Sequence, residues 1–147
     1  MATNDSYLSS LAEDAAAELA LETSDSFYLL EQGLEHLEEG ISIFDRQLKL
    51  VACNARFLEL LAFPSGLARR GTPMEHFIRY NAERGEYGEG EVEVQVQERL
   101  NMALSFEAHS FRRTRPGGVV LEVKHTPITQ YGFVSTYRDV TDQVRTT

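Results

Sequence analysis

A chain of 147 residues, 42% hydrophobic and 25% charged, has the length and composition of one soluble globular domain and is too apolar for a disordered segment. Its net charge of −9 argues against nucleic-acid binding, because 14 basic residues are dispersed among 23 acidic ones. The single cysteine, Cys53, excludes an internal disulfide and a cysteine-based zinc cluster.

No targeting or membrane-spanning segment is visible in the sequence. Residues 1–10 lack the basic and apolar regions of a secretion signal, and no apolar run approaches the roughly 20 residues that a spanning helix needs. We therefore expect a cytoplasmic protein.

The N-terminal segment, residues 1–26, is rich in Ala, Glu, Ser and Leu and contains no Pro or Gly. Its apolar residues follow a narrow helical stripe formed by Leu8, Leu11, Ala15 and Leu19. This pattern predicts an accessory helix that packs on another surface. Ser24-Asp25-Ser26 predicts a break, followed by a second short helix over residues 27–37.

The middle of the chain changes from helical to strand periodicity and back. Gly40 ends the second helix, and a hairpin of two strands follows. Asn54 is predicted to cap the next helix, and Thr72-Pro73 to open a further one. The predicted strands of the hairpin are 41–44 and 48–53, and the last helix of this region is 91–104.

The C-terminal part is predicted to be entirely β. Strands over 105–114 and 119–128 flank the turn sequence Arg115-Pro116-Gly117-Gly118, and a last strand covers 133–138. The basic run at residues 112–115 is interpreted as a solvated hairpin tip in preference to an anion site. The glycine-rich, acidic segment 85–90 is interpreted as a flexible linker.

Four pieces of sequence, in this order, resemble the PAS family. The resemblance covers about residues 30–143 and is closest to the branch found in bacterial sensor histidine kinases and cyclic-dinucleotide enzymes. The turn departs from the family pattern, because Pro116 and Gly117 replace its usual acidic residue. The four pieces are 37–45 (LEEGISIFD), 51–57 (VACNARF), 113–118 (RTRPGG) and 137–141 (YRDVT).

The resemblance implies an α+β PAS fold: a five-stranded antiparallel sheet flanked by short helices, here with an extra N-terminal helix. The expected organisation is an accessory or dimerisation helix at 1–26, the PAS domain at 27–143, and a tail or effector linker at 144–147. It also implies homodimers built through the N-terminal helix, which makes Leu8, Leu11, Ala15 and Leu19 candidate interface residues.

The expected function is signal transduction through protein–protein interaction, because no catalytic motif is present and we predict no enzyme. The expected partner is a bacterial signalling protein such as the histidine kinase of a two-component system. If the chain is a fragment, a kinase or diguanylate cyclase would follow Thr141; if it is complete, it is a free-standing adaptor.

The resemblance also implies a possible ligand cavity between sheet and helices, for an unknown small molecule or none. The alternative is a filled core. Asp139 and Thr141 are candidates for signal transmission, with a plain helix cap as the alternative. The candidate cavity residues are Phe77, Tyr80, Leu100, Met102, Phe106, Phe133 and Tyr137.

A haem- or flavin-binding redox, gas or light sensor is the alternative function. Residues 54–59 (NARFLE) resemble the flavin-adduct motif of the LOV subgroup, but Ala55 stands where its reactive cysteine would be. His76 is only a weak candidate for a haem ligand, and no metal site is predicted. His109 and His125 lie in adjacent predicted strands and are interpreted as a cross-strand pair.

Overall fold

The computed structural model describes the backbone of residues 3–145 and the side chains of residues 7–145. The helices in this range are α1 (Thr3–Glu35), α2 (Ala55–Leu61), α3 (Met74–Glu83), α4 (Val92–Leu104) and α5 (Thr141–Arg145). The strands are β1 (Gly40–Asp45), β2 (Leu50–Cys53), β3 (His109–Thr114), β4 (Val120–Ile128) and β5 (Gly132–Asp139).

The five strands form one antiparallel sheet in the order β2-β1-β5-β4-β3. The first strand of the chain, β1, therefore lies beside the last, β5, in the interior of the sheet. This arrangement confirms the predicted α+β fold with a five-stranded antiparallel sheet, several helices and an N-terminal helix.

One face of the sheet carries the hydrophobic core. Along β4, Leu121 and Val123 face inward and are buried, whereas the next residue, Lys124, faces the other side of the sheet and is exposed. This alternation is the two-residue period of a strand. Side chains of α2 and α3, including Phe57 and Phe77, pack in the same core cluster. The candidate site lies on this inner face.

Asn54 anchors the step from β2 into α2. Its side-chain oxygen accepts hydrogen bonds from the backbone N–H of Ile41 (2.9 Å) and of Phe57 (3.0 Å). Its amide group donates to the carbonyls of Leu34 and Glu39, both at 2.9 Å. The predicted cap is confirmed, and the same buried side chain also fixes the chain entering β1.

The predicted helix break at Ser24-Asp25-Ser26 is wrong, because α1 continues through it to Glu35. The Thr23 hydroxyl donates to the Leu19 carbonyl at 2.9 Å, a bond made within the helix, and no Gly or Pro interrupts this stretch. The chain separates into one compact unit that ends at Gly33 and another that begins at Leu34. The predicted domain boundaries, at 26/27 and 143/144, stay predictions, and residues 146–147 of the predicted tail lie outside the described range.

The start of the third strand also differs from its predicted position. Ser105 caps the end of α4, with its backbone N–H bonded to carbonyls of that helix, and β3 begins only at His109. Phe106 has a φ of 49°, in the left-handed region that ends helices and is incompatible with a strand.

Candidate ligand cavity and signalling joint

A cavity of about 110 Å³ lies between the inner face of the sheet and the helices. One part of its wall is apolar and includes Phe44, Leu61, Phe63, Met74, Ile78 and Val123. The other part is polar, formed by Asn81, Tyr87, Arg99, Arg113, His125, Ser135 and Tyr137. An empty, fully apolar space would favour only a hydrophobic guest, whereas this lining offers several hydrogen-bonding groups to a ligand.

The structure brings together only part of the candidate cavity residues. Phe77 and Tyr137 line the main cavity. Met102, Phe106 and Phe133 line a smaller, almost wholly apolar cavity of about 60 Å³. Tyr80 and Leu100 line neither of these spaces: Tyr80 is partly exposed with the Arg84 guanidinium stacked on its ring, and Leu100 packs at the edge of the core.

His125 and Tyr137 are the titratable groups at the sheet side of the main cavity. Burial, together with the nearby His109, Arg113 and Arg99, lowers the pKa of His125 to about 4. His125 is therefore neutral at pH 7, with Nδ1 2.5 Å from the Ser135 hydroxyl. Burial likewise raises the pKa of Tyr137 above its usual value, so its hydroxyl stays protonated.

His109 and His125 are direct partners across β3 and β4, as expected for a cross-strand pair. Nε2 of His109 is buried and forms no hydrogen bond with the described residues.

Tyr87 stands between two arginines at the helix side of the cavity. The guanidinium carbon of Arg99, on α4, lies 3.5 Å from the centre of the Tyr87 ring, and that of Arg113, on β3, lies 5.6 Å from it. The Tyr87 hydroxyl accepts a hydrogen bond from the Asn81 amide at 3.2 Å. The aromatic face stabilises both cations and sets their positions.

Glu86, beside Tyr87, joins three arginines. Its carboxylate accepts hydrogen bonds from Arg115, the shortest at 2.7 Å, and lies 3.6 Å from Arg84 and 3.8 Å from Arg113. Burial raises the pKa of Glu86, but the hydrogen bond and charge of Arg115, with the charges of Arg84 and Arg113, outweigh it and leave this pKa below its usual value. The carboxylate is ionised and locks the loop after α3 against β3.

This cluster corrects two predictions. The segment 85–90 is not a flexible linker, because the side chain of Glu86 within it is only 4% exposed and is bound by arginines. The basic run is not a solvated tip at Arg113 and Arg115, since strand alternation turns both side chains inward while Arg112 faces solvent.

Asp139 and Thr141 form a joint between the sheet and α5. Oδ1 of Asp139 accepts hydrogen bonds from the Thr141 backbone N–H (2.9 Å) and hydroxyl (2.6 Å), which together hold the pKa of Asp139 below its usual value. The same hydroxyl accepts a bond from the Val120 N–H at 2.9 Å, so Thr141 ties β5, β4 and the start of α5 together. The adjacent Val140 is fully buried.

The remaining sequence candidates lie outside the cavity. Leu8, Leu11, Ala15 and Leu19 are exposed on α1. His76 is exposed in the first turn of α3 and is not among the cavity-lining residues. Among the side chains of residues 7–145 no three His, Cys, Asp or Glu are grouped as metal ligands, and no described helix is both long and apolar enough to cross a bilayer.

Arg99, Arg113 and Asn81 are cavity residues that the sequence analysis missed. The alternation of side chains along β3 could have identified Arg113. It lies two residues from the apolar Phe111 and therefore on the same face of the strand, which the helices must cover. Nothing local distinguishes Arg99 from the exposed Glu98 beside it, since only the packing of α4 against α3 and the loop determines which turns inward.

Comparisons with known proteins give consistent results on the fold. A family model described as "PAS fold" matches residues 34–147. No curated protein matches the sequence.

Among solved structures, the PAS domain of BvgS from Bordetella pertussis is 12% identical, with a TM-score of 0.53 over 83% of this chain and 93% of that one. A chain of the phage VqmA–DPO complex is 14% identical, with a TM-score of 0.54 over 86% of this chain and 59% of that one. A chain of the E. coli DhaR(N)–DhaL complex is 18% identical, with a TM-score of 0.54 over 85% and 39%. At these identities the likeness concerns the fold alone. The family model matches residues 34–147, which is most of the chain, and these residues form the five-stranded sheet. The chain therefore belongs to the PAS family, whose domains are typically sensory rather than catalytic.

Proposed function

We propose that this chain is a non-catalytic sensory domain of the cytoplasm that binds a small molecule in the main cavity and signals to a partner protein as a homodimer. The polar cavity carries the proposal. A core that serves folding alone does best when it is filled and apolar, whereas this one keeps about 110 Å³ beside several polar groups.

The route from cavity to output runs along β5. Ser135 and Tyr137 line the cavity, and two residues later Asp139 begins the joint with α5. A ligand that shifts Tyr137 therefore acts on the strand that ends at Asp139, whose carboxylate is hydrogen-bonded to Thr141 at the start of α5. A partner such as a histidine kinase would receive this change through the segment after β5.

The homodimer is proposed to form through α1. Because the helix is continuous, Leu8, Leu19 and Leu30 are spaced by eleven residues, about three helical turns, and share one side of the helix. All three are more than 60% exposed in the single chain. A second copy of α1 is the surface that such a stripe fits.

A haem or flavin is less well supported than a smaller ligand. The cavity is below the range of several hundred Å³ typical of sites for drug-sized molecules. His76 is exposed, and Ala55 occupies the position of the adduct-forming cysteine in the LOV-like motif.

Native mass spectrometry of the full chain, beside a denatured sample, tests the ligand-binding function. We expect a mass of one small molecule per chain after incubation with a low-molecular-weight cell extract, and its loss on denaturation. Ser135→Ala, which removes a cavity hydroxyl without adding bulk to the cavity, should reduce the bound fraction, whereas Thr136→Val, which removes a hydroxyl on the other face of β5, should not. Bare chains under every condition would contradict ligand sensing.

A further inference from the structure

We propose that the main cavity is a site for a small oxyanion, a carboxylate or phosphate of a few heavy atoms, held by the guanidinium groups of Arg99 and Arg113. This inference rests on the proposed ligand-sensing function and specifies the chemistry of its ligand.

The first observation is the charge of the lining. It contains two arginines and no Asp or Glu, although the chain as a whole carries a net charge of −9. His125 is neutral, and the Tyr137 hydroxyl is protonated, so neither supplies a negative charge.

The second observation is that these two guanidinium groups lack sufficient counter-charge. Within residues 7–145 Arg99 forms no salt bridge, and its guanidinium contacts the Tyr87 ring. Burial lowers the pKa of Arg99, which reflects the cost of keeping its charge there without a partner. A bound anion would offset that cost.

The third observation concerns Arg113. Its Nη1 is buried, forms no hydrogen bond with the described residues, and stands 3.8 Å from Glu86. That carboxylate already accepts the hydrogen bonds of Arg115 and is close to Arg84 as well. One carboxylate thus serves three cations, which leaves the Arg113 fork available to a ligand.

Neutral donors complete the site. The Asn81 oxygen is occupied by Arg84, so its amide group is turned toward the Tyr87 hydroxyl and the cavity wall. Arginine presents a planar fork of N–H donors that matches carboxylate and phosphate oxygens. The volume has room for a molecule of a few heavy atoms and excludes a nucleotide.

The test is thermal unfolding of the full chain with millimolar sodium acetate, inorganic phosphate or neutral acetamide, at constant ionic strength. We expect acetate or phosphate to raise the midpoint by about 3 °C or more and acetamide to leave it unchanged. The two anions separate the sources: a response to acetate alone indicates a carboxylate ligand, and a response to phosphate alone a phosphorylated one.

Variants distinguish cavity binding from a general salt effect. Arg99→Gln should abolish the rise and Arg99→Lys should keep part of it, whereas Arg112→Gln, which removes a charge on the solvent side of β3, should keep all of it. Equal responses of the wild type and Arg99→Gln, an equal response to acetamide, or no response to either anion would overturn the oxyanion site. A neutral molecule found by native mass spectrometry would also overturn it while leaving the sensory function intact, whereas bare chains would remove both.

Discussion

His125 links the chemistry of single residues to the stability of the domain. It is held neutral between Ser135, the aromatic rings of Phe111 and Phe133, and two arginines, with a pKa of about 4 against 6.5 for an ordinary histidine. The unfolded chain therefore binds a proton in a pH range in which the folded chain does not. The contribution of His125 to the free energy of unfolding is therefore fully present above pH 6.5 and is lost as the pH falls from 6.5 toward 4.

We expect the free energy of unfolding to decrease between pH 7.5 and 5 by on the order of 1 to 2 kcal/mol through His125. Urea denaturation at several pH values measures it. His125→Gln keeps a polar group near Ser135 and should remove most of this slope, and the exposed His76→Gln should not. Identical slopes in the wild type and His125→Gln would show that burial does not hold this imidazole neutral.

Residue by residue, the sequence was most informative where chemistry and backbone geometry act locally. Asn54 was predicted as a cap because an Asn side chain before a helix can accept a hydrogen bond from an N–H three residues ahead. The structure contains this bond, to the N–H of Phe57. Glu86 was assigned to a flexible linker, because two of its three arginine partners, Arg113 and Arg115, come from a different part of the chain. Partners so distant along the chain leave no periodic signal.

At the scale of elements, periodicity predicted the strands and the helix α4 but misplaced several ends. The observed α4 (Val92–Leu104) and β4 (Val120–Ile128) lie nearly where the helix 91–104 and the strand 119–128 were predicted, because glycines directly precede both. The break in α1 failed for the opposite reason: Ser and Asp favour caps but do not stop a helix that lacks Gly and Pro nearby. The cavity itself was expected only from family resemblance, since voids depend on how helices and sheet meet.

The joint between β5 and α5 makes an element-scale prediction. Thr141→Val keeps the side-chain shape but removes the hydroxyl that accepts from Val120 and donates to Asp139. The amide of Val120 should then exchange with solvent about tenfold faster, and α5 should lose protection with it. Hydrogen–deuterium exchange measures both.

Thr136→Val, elsewhere on β5, is the matched control and should leave these amides unchanged. Unchanged exchange in Thr141→Val would mean that the buried Val140 alone fixes α5 to β4, and the hydroxyl would then have no role in the joint.

For the whole molecule, the cavity and the N-terminal helix have to work together if the protein is a sensor. The family match begins at residue 34, so α1 lies almost wholly outside the conserved fold. The leucines of α1 from Leu8 to Leu30 are exposed in the isolated chain, which costs solubility unless a partner covers them. A dimer formed by α1 would bring two copies of the PAS domain into one assembly.

Leu19→Glu tests this assembly because Leu19 is at the middle of the stripe with Leu8 and Leu30. A buried carboxylate at an apolar helix contact is strongly unfavourable, so dimerisation should weaken at least about tenfold. Sedimentation velocity across a concentration series measures it. Leu21→Glu makes the same chemical change at an equally exposed leucine on the opposite side of α1 and should leave the dimer intact. A wild-type monomer would refute the homodimer, and equal weakening by both variants would refute the stripe as its interface.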